Sequence, residues 1–162
     1  MNRFFTTAAL VCFAAVAASG QTKISGTVQC GKPDPQQMVP VGDRPNHSLG
    51  VEQAKCTWTK PMVIEGANSK DGVSTATDDA SGNTVRAHGV HVSTMDSGDK
   101  FFVSYQGTAT TKDGALVSSK GTWSFNGGTG KLKGIKGKGT FTCTPSGDGN
   151  SCEVEGDYQL AK

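Results

Sequence analysis

An all-β fold, a single eight-stranded antiparallel barrel held by two disulfides, is what this sequence predicts, and three observations predict it. No stretch beyond the first twenty residues sustains a 3.6-residue apolar period, whereas period-two alternation recurs between clusters of Gly, Asp, Asn and Ser. Glycine takes six of the thirteen positions in residues 127–139, a density that excludes helix and calls for sharp turning or close backbone approach. Four cysteines remain once a leader is set aside, an even number.

The leader comes first in the chain. Asn2 and Arg3 precede an apolar run over residues 8–18, and Ser19 and Gly20 follow as small residues. That is the pattern of a secretory signal peptide over residues 1–20, cleaved after Gly20, with the ends after Ala17 and Ala18 as alternatives. The mature domain is then 21–162, exported to a periplasm or to the extracellular space. No segment of it approaches the roughly 20 apolar residues of a permanent membrane span. Of 16 basic and 14 acidic residues, Arg3 leaves with the leader, so 15 − 14 gives a net charge near +1 and no global attraction to nucleic acid.

Cys12 departs as well, leaving Cys30, Cys56, Cys143 and Cys152 in an oxidising compartment, where two disulfides are expected. Metal binding is the alternative. It lacks a Cys-x-x-Cys, and the closest pair is nine residues apart.

Strand faces follow by parity. Ile24, Gly26, Val28 and Cys30 share one face; Ala54, Cys56 and Trp58 share another; Phe101, Val103, Tyr105, Gly107 and Ala109 a third; Val117, Ser119, Gly121, Trp123 and Phe125 a fourth. Lys112-Asp113-Gly114 suits a three-residue hairpin turn with glycine left-handed. That turn sets Ala109 opposite Val117, Tyr105 opposite Gly121, Val103 opposite Trp123 and Phe101 opposite Phe125. A two-residue Asp113-Gly114 turn would instead join apolar to polar faces.

In the C-terminal hairpin, Cys143 opposite Cys152 aligns Phe141 with Val154 and Gly139 with Gly156, centring the turn between Gly147 and Asp148. A tight Asp148-Gly149 turn would slip this by two. Cys30 and Cys56 then pair by elimination, closing the irregular segment that holds Pro33, Pro35, Pro40 and Pro45, with crossed pairing as the alternative. Strands near 23–30, 48–59, 62–80 (one or two), 84–95, 100–111, 115–126, 131–143 and 152–160 make about eight, a number that closes into a barrel filled by side chains or holding one small ligand. Five glycines on apolar faces, Gly26, Gly107, Gly121, Gly139 and Gly156, let such strands coil.

Gly127-Gly128-Thr129-Gly130-Lys131, followed by Gly134 and Gly137, resembles the late strand-turn-strand segment of allene oxide cyclase and dirigent-type barrels, over roughly residues 122–142. The resemblance implies a calycin-like antiparallel barrel with a central hydrophobic cavity. It implies no particular activity, since none of those families' catalytic residues matches a position here. The disulfides and the Pro-rich stretch at 32–46 depart from the plant enzymes.

Candidate sites are few. The glycine run lacks the upstream glycine, the Ser or Thr after lysine and the helix of a phosphate loop. Lys131, Lys133, Lys136, Lys138 and Lys120 make a basic stripe that could attract an acidic polymer, or simply solvate a strand edge. His88 and His91 face opposite ways, His91 inward beside Val103 or Tyr105; His47 belongs to a surface loop. Glu65 competes with Met62 and Ile64 for the core and has no second carboxylate to work with, so no catalytic residue is assigned. Asp148, Asn150 and Glu153 are turn residues without calcium-loop spacing, and neither metal nor cofactor is expected. The candidate cavity is lined by Trp58, Glu65, His91, Tyr105, Trp123 and Phe141. The function expected is a binding or structural module for a small apolar ligand. An isomerase- or cyclase-type enzyme in the same cavity and an acidic-polymer binder are the alternatives.

Overall fold

The computed structural model describes residues 20–160; residues 1–19, where the predicted leader falls, and 161–162 lie outside them. Ten strands follow one another: β1 (Thr22–Cys30), β2 (Gln36–Pro40), β3 (His47–Lys60), β4 (Val63–Ile64), β5 (Ala67–Ser81), β6 (Thr84–Met95), β7 (Lys100–Lys112), β8 (Ala115–Gly128), β9 (Lys136–Ser146) and β10 (Gly149–Gln159). Eight of them close a barrel in the order β1-β10-β9-β8-β7-β6-β5-β3, with β3 returning to β1, every pairing antiparallel. β2 prolongs the wall along β3 where β1 leaves it, and β4 folds back on the start of β5.

Inner-face partners can be followed once round the wall. Ser48 faces Ala80, then Val85, Ala109, Ser119, Cys143, Cys152, Val28 and finally Trp58, back on β3. The circuit returns 58 − 48, or ten, residues along the same strand, so shear exceeds strand number and the strands tilt steeply, by about 35–45°. Cys30 stands opposite Cys56 and Cys143 opposite Cys152, and both pairs are bonded, uncrossed.

The C-terminal hairpin has the expected register throughout, with Ser146 opposite Gly149 and Gly147 at φ 60°, as a two-residue turn with glycine first requires. The β7–β8 hairpin differs from expectation. Its turn is the two-residue one, Lys112 facing Ala115 with Asp113 at φ 52° and Gly114 at φ 80°. That primed geometry suits the strand twist. Thr111 faces Leu116 but Thr110 faces Ser118, so Val117 is an extra residue in a bulge, and one extra residue reverses parity. The apolar faces therefore coincide after all, displaced by two from the expected register: Tyr105 faces Trp123, Gly107 faces Gly121, and Val103 faces Phe125. A second shift places Phe101 opposite Gly128.

Two more expectations are corrected. The Pro-rich stretch is not wholly irregular, because β2 pairs with residues Ser48 to Glu52 of β3. The strand expected from 131 begins only at Lys136, and Gly130–Leu132 is a 3₁₀ turn. Gly130 at φ 51° and Gly134 at φ 78° fold the chain so that Leu132 and Ile135, three apart, both point into the barrel end. There they meet Met62, Ile64, Met95 and Phe101, all at most 2% exposed. This end is plugged. Above the plug a chain of edge-to-face rings, Trp58–Phe101–Phe125–Trp123, fills the barrel's middle with centroids 5.0–6.3 Å apart.

Inner glycines sit under Trp123 and under a further ring, Phe141. A Cβ on Gly121 would stand 2.6 Å from Phe141, and one on Gly139 would stand 2.7 Å from Trp123, so the rings occupy the space those side chains would need.

Candidate functional site

The end opposite the plug is open. Its inner wall on β5 to β8 is built mainly from small residues, Ala80, Ala87, Gly107, Ala109, Ser119 and Gly121, with Val85 between Ala80 and Ala109, all half-buried although they face inward. The Phe141 ring lies over Gly107 and Gly121, and Met38 lies over Gly50, so what Ala80, Ala87, Ala109 and Ser119 line is a shallow cup above that ring. Its floor is Tyr105 and Phe141, packed edge to face at 6.0 Å, with Val154 and Cys152 beside them at the margin of the core.

Two carboxylates face into this cup. Glu52 and Asp78 belong to the inner faces of β3 and β5, where Glu52 stands opposite Ala76 and Asp78 opposite Gly50, making them diagonal neighbours. Asp78 is 8% exposed. On its other side is Ala87 and then Gly107, over which the Phe141 ring lies. Met38 of β2, itself exposed, lies over Gly50 with its sulfur close to where a Cβ would be.

Among the described residues, Glu52 takes one hydrogen bond, from Gln36 Nε2 at 3.0 Å, while no hydrogen bond or ion pair reaches the Asp78 carboxylate. Burial pushes Asp78 above the ordinary carboxylate range. Burial, and then the nearby Asp78 charge, push Glu52 up too, against the pull of Gln36. Tyr105 leans across Gly89, and its hydroxyl is 2.8 Å from Ser74 Oγ. Burial first, with both carboxylates adding to it, raises its ionisation above that of a free phenol, so it stays protonated.

Of the residues the sequence singled out, Tyr105 and Phe141 form the cup floor. Trp58 and His91 pack together one level deeper, their ring centroids 6.3 Å apart. Trp58 Nε1 donates to Ser93 Oγ at 2.8 Å, and Ser93 Oγ lies 2.9 Å from His91 Nε2; a neutral ring with its proton on Nδ1 would accept the serine hydroxyl there. Burial lowers His91 to about 4, so at neutral pH it is an uncharged core residue. His88, as parity requires, is exposed.

Trp123 lies under Gly139 and Gly156 with its Nε1 donating to the Thr140 carbonyl at 3.2 Å. Glu65 is elsewhere: it is exposed on the β4–β5 turn at φ 50°, by the plugged end, and accepts from Tyr158 Oη at 3.1 Å. Met62 and Ile64 take the core positions instead. Beside Glu65, a 210 Å³ depression holds Asp96, Asp99 and Lys131.

The lysines do not form one isolated stripe in space. Lys138 faces Asp157 across β9 and β10, Asp157 also pairs with Lys23 at 3.5 Å, and the Lys131 amide bonds to Asp99. A depression of about 1330 Å³ lies on the outer wall across β1 and β6 to β10. Its floor is main chain, flanked by hydroxyls and by charges, among which Asp157 pairs with Lys23 through Oδ2 while its buried Oδ1 has no partner among the described residues. His47, near the open end, is held between Asp43 and Asp79.

Glu52 and Asp78 escaped sequence reasoning for different reasons. Glu52 was within reach, since the face Ala54, Cys56, Trp58 extended by one step arrives at it. Asp78 is followed by Asp79, Ala80 and Ser81 in a strand that is polar on both faces, and so reads as a turn. No family model matches the chain, and no curated protein matches it. Among the described residues no helix is long and apolar enough to cross a membrane.

Proposed function

We propose that the protein is an exported, disulfide-stabilised binding barrel that takes a small, largely apolar molecule into its open end. The observation that carries this reading is the contrast between the two ends. One is closed by Leu132, Ile135, Met62 and Ile64, whereas the other leaves Gly, Ala and Ser inner faces half-exposed above an aromatic floor. Concave, mainly apolar surfaces with a few polar groups are the usual form of small-ligand sites. The resemblance of residues 122–142 to allene oxide cyclase and dirigent-type barrels supports a hydrophobic cavity in the same manner. The leader pattern and the two disulfides support export.

Catalysis is less well supported. His91 Nε2 is committed to Ser93 and Glu65 lies at the far end, so the three polar groups that a cyclase could have used do not converge on one point. The neutral dye Nile red tests the reading. Its emission should shift to the blue and saturate on adding protein, and Ala87→Trp or Ala109→Trp, which fill the cup, should abolish the shift. Absence of saturable binding, or equal binding by the filled variants, overturns it.

A further inference from the structure

We infer that the cup is selective for an organic cation, an ammonium group carried on a small apolar body, which it holds between Asp78 and Glu52. This rests on the binding role just proposed and names the chemistry of its ligand. Asp78 is 92% removed from solvent and has no partner among the described residues. A buried acid is normally paired or hydrogen-bonded, because removing it from water without compensation costs free energy. Here the strand neighbours of Asp78 are Gly50 and Ala87, which offer it nothing, and the second carboxylate beside it adds repulsion.

The Asp78 oxygens keep a little contact with the lumen, since Asp157 Oδ1 is the one fully buried side-chain oxygen without a partner among the described residues, and a positive charge entering from the lumen would compensate them better than water does. An ammonium group donates three hydrogen bonds, enough to satisfy oxygens of Asp78 and Glu52 together. Its apolar body would lie on the Phe141 and Tyr105 rings, whose faces also attract cations. A divalent metal fits less well. Calcium needs six to eight oxygens, and among the described residues no third His, Cys, Asp or Glu joins the pair. An anionic ligand would face two carboxylates.

Chain-matched probes separate these cases: n-hexylammonium, n-hexanol and hexanoate, titrated at pH 7.5 and low salt with amide chemical shifts of Ala87, Gly107 and Ala109 as the readout. Hexylammonium should bind roughly ten- to a hundredfold more tightly than hexanol, the range for a hydrogen-bonded charge. Asp78→Asn should remove most of that preference while changing hexanol affinity less than twofold, and Glu52→Gln should remove part of it. Hexanol binding as tightly as hexylammonium, an unchanged preference in Asp78→Asn, or displacement of hexylammonium by millimolar calcium at equal ionic strength each overturns the inference while leaving a binding cup. Failure of all three probes to shift the cup amides overturns the cup itself.

Discussion

Acidification should destabilise this barrel measurably through His91. The imidazole is 8% exposed, lies against Trp58 and 2.9 Å from the Ser93 hydroxyl, and its folded pKa is about 4 against an unfolded value of 6.5. A base whose folded pKa is lowered leaves the unfolded chain holding more protons between the two values, so stability falls as pH drops from 6.5 towards 4. The full separation of 2.5 units corresponds to about 3.4 kcal/mol at 1.36 kcal/mol per unit. Between pH 7 and pH 4.5 the loss from this one group should be about 2.4 kcal/mol.

The assay is urea unfolding of the wild type and of His91→Gln at pH 7, 5.5 and 4.5. The amide oxygen of glutamine can still accept from Ser93, and the side chain does not titrate. The quantity to compare is the drop in unfolding free energy with pH in each protein, because the substitution also changes packing by a pH-independent amount. Glu52 and Asp78, raised in the fold, act in the opposite sense and are common to both proteins, so they cancel in the comparison. Equal drops in the two proteins would refute the reasoning, since His91 would then be free to protonate in the folded state.

Three further outcomes are expected. Asp78→Ala should stabilise the protein at pH 7 by on the order of 1 kcal/mol, a rise in melting temperature of roughly 3–5 °C, because an unpaired buried charge is removed. Because folding raises this carboxyl, its penalty appears as pH rises through the folded value, so the gain should shrink towards pH 3; a gain that grows on acidification would contradict it. Gly121→Ala should cost about 1–3 kcal/mol in urea unfolding, since the added methyl meets the Phe141 ring and the Gln106 carbonyl, and an unchanged midpoint would mean that the ring does not pack there. Replacing both cysteines of each disulfide by alanine should cost about 3.5 kcal/mol for Cys30–Cys56 and about 2.6 kcal/mol for Cys143–Cys152, from loops of 26 and 9 residues; the reverse order in thermal melts would count against the chain-entropy account.

What could be read in the chain was whatever parity carries. Ile24 to Cys30, Ala54 to Trp58 and Phe101 to Ala109 alternate cleanly, and a face that alternates is a face that is buried on one side, so strands and the inward His91 followed from parity, while the disulfide partners were reached by elimination with crossed pairing left open. Features that interrupt alternation did not follow. The Val117 bulge is one residue that reverses every pairing beyond it, and nothing in Leu116-Val117-Ser118 distinguishes it from an unbroken strand. β2 is exposed along its whole length, so it has no buried face to betray it. The plug needed Leu132 and Ile135 to be recognised as a pair across a glycine turn. The carboxylates of the cup were hidden because an open end imposes no apolar pattern on the residues that line it.

Having one packed end and one vacant end divides the chain by the kind of change it can absorb. Substitutions around Leu132, Ile135, Met62 and Phe101 act on the folding of the whole barrel, because those side chains are its most completely buried. Above the Tyr105–Phe141 floor, inner positions such as Ala80, Ala87 and Ala109 are only half-buried and lie outside the hydrophobic core. Descendants of this chain could exchange them freely and acquire new ligands while keeping the same foundation, so the mouth is the part of the molecule that evolution can rewrite at little cost to the rest.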